Sequence, residues 1–240
     1  MRSRTHVVCG LGEVGSALAA VLDSAPASRV VRVDPAKGYE LHGAPQDVDF
    51  LHVCIPYGDH FEQAVRGYHE SLSPDILVIH SSVPVGTTRL IGSEAVHSPI
   101  EGLHPHLKRS IRTFPKWFGG EKAAEAAAPF QELGIRTRIN LLPETTELAK
   151  LLSTSAYGID LLKAKEQAQI CRQTGVSYQE AVLAYSKDYN ESYAILGRPE
   201  YCRPLLFPPQ GPIGGHCVLP NARLLSPGHK MPLHRHLAEQ

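Results

Sequence analysis

Three glycines and one acid near the amino terminus carry the most specific chemistry in this chain. Gly10, Gly12 and Gly15 keep a G-x-G-x-x-G spacing, and Asp34 follows about 20 residues later. A glycine at the first position permits a tight turn out of a strand. The second lets backbone approach a bound anion, and the third lets helix and strand pack closely. Leu11, Glu13 and Val14 fill the turn and open the next helix, whose N–H groups and dipole favour a pyrophosphate. A carboxylate at position 34 would accept hydrogen bonds from an adenosine ribose and repel a 2′-phosphate. These residues together specify a dinucleotide site that takes NAD rather than NADP, against which Arg32 and Lys37 stand nearby. S-adenosylmethionine-dependent transferases also use a Gly-rich first turn, but with a G-x-G-x-G spacing that Val14–Gly15 does not fit.

The elements that must hold these residues are legible around them. Val7 and Val8 lie in a short apolar strand, Val14, Leu18, Val21 and Leu22 recur at helical spacing, and Val30 to Val33 form a second strand ending on Asp34. Strands at 49–55 and 76–80 and a helix at 59–72 continue the alternation, which predicts an α/β fold with a Rossmann-type doubly wound parallel sheet. Pro56 and Ser81, just past strand ends, then fall on the carboxyl edge beside the nucleotide. A short strand at 95–99, a loop-rich segment at 101–120, a helix at 121–133 and a last strand at 135–139 complete the domain. A long helix is expected over 144–174 and another over 178–196, followed by a Pro- and Gly-rich tail. The resulting division is a dinucleotide-binding domain at 1–142, a mainly helical domain at 143–225 and a tail at 226–240.

The chain has 240 residues, of which 42% are hydrophobic and 20% charged, and 24 basic residues balance 24 acidic ones. Zero net charge speaks against general nucleic-acid or membrane-surface binding. No apolar run reaches the length of a membrane span, and the first six residues are too short and polar for an export signal. The five cysteines are therefore read as reduced thiols in a cytoplasm. Cys9 and Cys54 sit in apolar strands and read as core. His104–His106 and His234–His236 show a two-residue spacing without supporting acids or thiols, so no metal site is assigned. Lys108, Arg109, Arg112 and Lys116 form a basic cluster in the loop-rich segment, either solvated or an anion clamp.

Four further stretches, with the nucleotide motif, resemble the UDP-glucose/GDP-mannose dehydrogenase family, which includes the N-acetylmannosamine dehydrogenases. Cys54–Ile55–Pro56 is similar to its V-C-V-P strand end. Ser81–Ser82–Val83–Pro84–Val85–Gly86–Thr87 is similar to its S-T-V-P-x-G-T loop. The stretch Glu144 to Leu151 resembles the A-E-x-x-K-L start of its central helix, and Gly211 to Pro220 its G-P-G-x-G-G-H-C-x-P loop. The resemblance implies an NAD-dependent, two-step oxidation of a hydroxyl to a carboxylate on a sugar-like or nucleotide-linked substrate. Cys217 would be the nucleophile, Lys150 the charge-stabilising lysine, and Ser82 would order the catalytic water. Gly215, His216, Thr154 and Asn221 would line the substrate, and the long helix would form a homodimer. A thiolate in a Gly-rich loop beside a cation is reasonable chemistry for this role.

The departures are specific. The family has P-E-R where this chain has Pro99–Ile100–Glu101, Asn where it has Thr154, and Asp where it has Asn221. Only a short stretch follows Cys217, so the family's third, substrate-gripping domain is expected to be missing. Either a smaller substrate is then used, or a partner completes the site, or the hydride chemistry has changed. Two other classes remain open: an NAD-binding protein that has lost turnover, and a transferase using S-adenosylmethionine at the same turn.

Overall fold

Strand β1 (Arg4–Cys9) is the hinge of the sheet, because the chain leaves it in both directions. The computed structural model describes residues 3–41, 45, 47–213, 217–225 and 232–240. From β1 the chain passes through helix α1 (Glu13–Leu22) to β2 (Ser28–Val33), then to β3 (Phe50–Val53), α2 (Phe61–Leu72) and β4 (Ile76–Ile79). Next come α3 (Thr87–Ile91), β5 (Val96–His97), α4 (Leu107–Thr113), β6 (Lys116–Gly119), α5 (Ala123–Glu132) and β7 (Thr137–Asn140). The sheet order is β2-β1-β3-β4-β5-β6-β7, so the strand order reverses between β1 and β3, where a doubly wound fold places its ligand crevice. All pairings are parallel except β5 with β6, which meet antiparallel at His97 and Gly119.

Buried apolar side chains cover both faces of the sheet. Val8, Phe50, Val78 and Phe118 pack with α1, α4 and α5 on one side. Val7, Leu51, Val53, Leu77 and Ile79 pack with α2 on the other. Near-continuous apolar strands are what a sheet buried on both faces requires.

The segment 101–120 departs from the loop expected of it, since it contains both α4 and β6. Pro115 ends the helix, and alternation in β6 then turns Lys116 and Phe118 inward and leaves Trp117 exposed. Lys116 is only 4% exposed, so it does not belong to a surface basic cluster with Lys108, Arg109 and Arg112.

The chain divides into two compact units, Met1–Lys150 and Leu151–Gln240. Helix α6 runs from Pro143 to Thr174, as its spacing predicts. Proline suits the first helical position because its missing N–H would have no intrahelical partner there. A π-helical turn, Gln179–Ala184, leads into α7 (Tyr185–Ile195). The stretch beyond Gly197 is not wholly irregular: α8 (Val218–Leu225) and α9 (Pro232–Ala238) pack together around Val218, Ala222 and Leu237.

Candidate functional site

The turn after β1 has the geometry its glycines demand. Gly10 has φ +87°, a left-handed conformation, and a Cβ there would meet the Cys54 carbonyl and Ile55 side chain at 2.9 Å. A Cβ on Gly15 would lie 1.8 Å from the Gly10 oxygen, so close helix–strand packing excludes any side chain. Gly12 differs. It is extended, at φ −66° and ψ −166°, and among the described residues a Cβ there would meet nothing within 4 Å beyond its chain neighbours. Among the described residues, the space above Gly12 at the start of α1 is unfilled.

Asp34 closes the other side of this turn. Its Oδ2 accepts the Leu11 N–H at 2.8 Å, and the Lys37 ammonium donates to the Leu11 carbonyl. Arg32 is directed away onto Asp23. Leu11 is buried, Val14 packs into the core, and the Glu13 carboxylate meets His104 Nδ1 at 2.6 Å. Pro56 is exposed on the next strand end, and Ser81 donates from its hydroxyl to the Ile55 carbonyl at 2.5 Å, tying two carboxyl-edge loops together.

The first two turns of α6 fasten the loops after β4 and β5. Glu147 is fully buried and accepts the Gly86 and Thr88 N–H groups at 2.6 and 2.8 Å. Glu144 accepts from Arg89 Nε and Nη2, at 2.6 and 3.1 Å. One turn beyond Glu147, Lys150 donates to the Ile100 carbonyl at 2.8 Å and lies 3.3 Å from the Glu101 carboxylate. The acid displaced by one residue in the sequence is therefore delivered to the lysine in space. Ser82 is half-buried in the same loop as Ser81.

Cys54 and Cys9, read as core thiols, are both pushed up to about 12 by burial. Thr154, Cys217 and Asn221 belong to the second unit. Cys217 is half-buried at the start of α8, where its carbonyl accepts the Asn221 N–H at 3.0 Å. Asn221 is itself buried within α8. Gly215 and His216 lie outside the described residues. No three His, Cys, Asp or Glu side chains gather as a metal would need among the described residues, and no described helix is long and apolar enough to cross a membrane.

Sequence reading missed a second set of polar residues. His6, His52 and His80 sit on β1, β3 and the end of β4, on the face covered by α1, α4 and α5, and are at most 3% exposed. His6 Nδ1 lies 3.0 Å from His52 Nε2, and His52 Nδ1 lies 3.0 Å from His80 Nε2. His80 Nδ1 lies 2.6 Å from the Ser98 carbonyl. Because a carbonyl only accepts, His80 must carry its proton on Nδ1. Each neutral ring behind it then donates from Nδ1 to the Nε2 of the next. Burial drives the pKa values of all three down, His6 to about 4. His97, on the opposite face, pairs with Thr146 Oγ1 at 2.8 Å and the Ser81 carbonyl at 3.2 Å, and burial lowers it to about 3. The signal was present: a histidine at an inward position of an apolar strand has to find a partner within the core.

No protein-family profile matches the sequence, and no curated protein matches it. Solved structures do match in fold. A UDP-D-ManNAc dehydrogenase from Pyrococcus horikoshii superposes with a TM-score of 0.75 at 18% identity, over 98% of this chain and 67% of that one. The UDP-N-acetyl-mannosamine dehydrogenase Cap5O from Staphylococcus aureus gives 0.65 at 16% identity, over 98% and 67%. A 3-hydroxyisobutyrate dehydrogenase from Mycobacterium tuberculosis gives 0.69 at 16% identity, over 100% of this chain and 92% of that one. The chain thus spans about two thirds of the length of the two sugar-nucleotide dehydrogenases, and it has the Rossmann-type fold these dehydrogenases share.

Proposed function

We propose that this chain is an NAD-dependent oxidoreductase acting on a hydroxyl group of a sugar-like or nucleotide-linked substrate. The observation that carries the reading is the turn at Gly10–Gly15, with Asp34 locked to Leu11 and open space at Gly12. Gly12, Glu13 and Val14 would present their N–H groups to the pyrophosphate, and Asp34 would hold the ribose diol. NAD, when bound, supplies the hydride acceptor. The dehydrogenase structures of the same fold support this reading.

At the carboxyl edge, Lys150 and Glu101 would share the work at the reacting oxygen. The ammonium stabilises an alkoxide or a developing oxyanion, and the carboxylate three ångströms away can take a proton or order water. In the full cycle, an alcohol loses a hydride and a proton to give an aldehyde. The Cys217 thiolate adds to its carbonyl carbon, forming a thiohemiacetal. Loss of a second hydride, for which a second equivalent of NAD would be the acceptor, leaves a thioester, and water cleaves it to a carboxylate, returning the thiol. This requires Cys217 to reach the carboxyl edge of the sheet. The exposed apolar side chains of α6, Leu148, Leu152 and Ile170, would serve a homodimer.

Asp34→Ala is expected to weaken NAD binding about tenfold and to narrow the gap to NADP, as read by titration calorimetry. An unchanged preference would remove Asp34 from the ribose site. Thermal shifts with NAD, NADP and S-adenosylmethionine, followed by NADH production from a panel of alcohols and nucleotide sugars, test the activity. Cys217→Ser should then stop oxidation at the aldehyde; undiminished carboxylate formation would exclude the thiol. Asn221, in place of an acid, favours a second reading in which NAD binds without turnover, and NAD stabilisation with no NADH from any alcohol would establish it. A shift with S-adenosylmethionine alone would end the dehydrogenase reading.

A further inference from the structure

Two lysines from different elements hold successive carbonyls of the loop after β5. Lys116 Nζ lies 3.1 Å from the Ser98 carbonyl and 3.4 Å from that of Pro99, and Lys150 Nζ lies 2.8 Å from that of Ile100. The next residue is Glu101, whose carboxylate meets Lys150. The Ser98 carbonyl has a second donor in His80 Nδ1, at the end of the histidine chain. We propose that Lys116 is a positioning residue for the Glu101–Lys150 pair. Its ammonium, which shares the Ser98 carbonyl with the end of the His6–His52–His80 chain, holds the 98–99 backbone that leads Glu101 to Lys150, and loss of its proton releases that backbone.

The surroundings of Lys116 fit a group meant to change state. Its ammonium lies 5.3 Å from the ring centres of Phe118 and Phe130, which replace part of its hydration. The ionisable neighbours are His52 and Cys54 from β3 and the turn after it, His80 and His97 from β4 and β5, Glu101, and Lys150 from α6. Glu101 is the one carboxylate among them, and it is already engaged with Lys150. Burial therefore dominates and brings Lys116 down to about 7.

The two protonation states make different hydrogen bonds. An ammonium has only donors, so it holds Ser98 and Pro99 while His80 Nδ1–H, 3.3 Å away, also points to Ser98. A neutral amine has a lone pair that accepts the His80 proton. His80 then turns part of its donation from Ser98 to Lys116, and the charge-assisted grip on the two carbonyls is lost together. The histidine chain fixes the direction of this exchange, because its rings all donate toward Ser98 and present no lone pair to Lys116.

The proposal rests on the reading of Lys150 as part of the reacting edge, but its test uses neither cofactor nor substrate, so either can fail alone. The full chain, labelled with 13C at lysine Cε and glutamate Cδ, is titrated from pH 6 to 9 by NMR. Lys150 and Glu101 signals are assigned with the Lys150→Arg and Glu101→Gln variants. The expected result is one lysine with a midpoint close to 7, with Lys150 and Glu101 both showing an inflection at that same pH. Lys116→Gln, which keeps donors but does not titrate, should abolish both inflections. Should that variant not fold, the wild-type titration still decides. Flat Lys150 and Glu101 signals through the Lys116 midpoint, or a Lys116 that stays charged beyond pH 9, would overturn the proposal.

Discussion

Gly12→Val is expected to leave the thermal midpoint almost unchanged and to weaken NAD binding a hundredfold or more, about 2.7 kcal/mol. The physical basis is the contrast between neighbouring glycines. At Gly12 the backbone is extended and a Cβ meets nothing within 4 Å among the described residues beyond its chain neighbours, so a side chain there is expected to strain the folded chain little and to enter the space a pyrophosphate would use. At Gly15 a Cβ lies 1.8 Å from the Gly10 oxygen. Alanine ordinarily favours a helix over glycine by up to about 1 kcal/mol. Gly15→Ala should instead destabilise by roughly 3 kcal/mol or more, because the turn has to open. Calorimetric NAD titration and thermal unfolding of the two variants separate a ligand clash from a folding clash. A Gly12→Val protein that binds NAD normally would take this turn out of phosphate recognition.

Acidification is expected to unfold the protein between pH 6.5 and about 5. His6, His52, His80 and His97 are buried, and burial lowers each below its ordinary 6.5, to about 4 for His6 and about 3 for His97. The unfolded chain therefore binds more protons than the folded one as pH falls below 6.5. Stability is fully present above that value and is lost on the way toward the folded pKa values. At pH 5 His6 and His97 each cost about 2 kcal/mol, roughly 4 together, and His52 and His80 add to this in the same direction, against about 5–15 kcal/mol for the whole stability of an ordinary domain. Lys116 acts with the same sign at higher pH: lowered from 10.5 to about 7, it makes stability rise as pH climbs from 7 toward 10. Urea unfolding at pH 7.5, 6.5, 6 and 5.5 should show a slope approaching four protons taken up per molecule at the acid end. An uptake below one proton would mean that these rings are already charged in the folded core.

How much of this was legible in advance depended on whether the signal is local. The βαβ unit is local: three glycines at fixed spacing, a helical stripe and Asp34 lie within one short stretch, and the structure adds a bond from the Leu11 N–H to Asp34 that the spacing alone did not specify. Helix α6 was equally legible, since its apolar spacing and Pro143 both report on neighbouring residues. The segment 101–120 was harder to read. Its prolines suggested loop, whereas β6 is a strand because β5 and β7 flank it, a pairing with partners distant in sequence. The misplacement of Lys116 on the surface follows from the same cause. Its charge argued for solvent, and only the inward pleat of β6 against His80 and the Ser98 carbonyl shows how it is accommodated.

By itself the sequence determined the sheet's alternation, the glycine turn after β1 and the residue types at the carboxyl edge, because these are set by contacts a few residues long. Tertiary structure decided the rest. It brought Glu101, one position out of register, to Lys150, and it lined up three histidines from three strands into one hydrogen-bonded chain. It also set two lysines, 34 positions apart, on consecutive carbonyls. Strand register and helix docking fix such meetings, and neither is written in the spacing of any one segment.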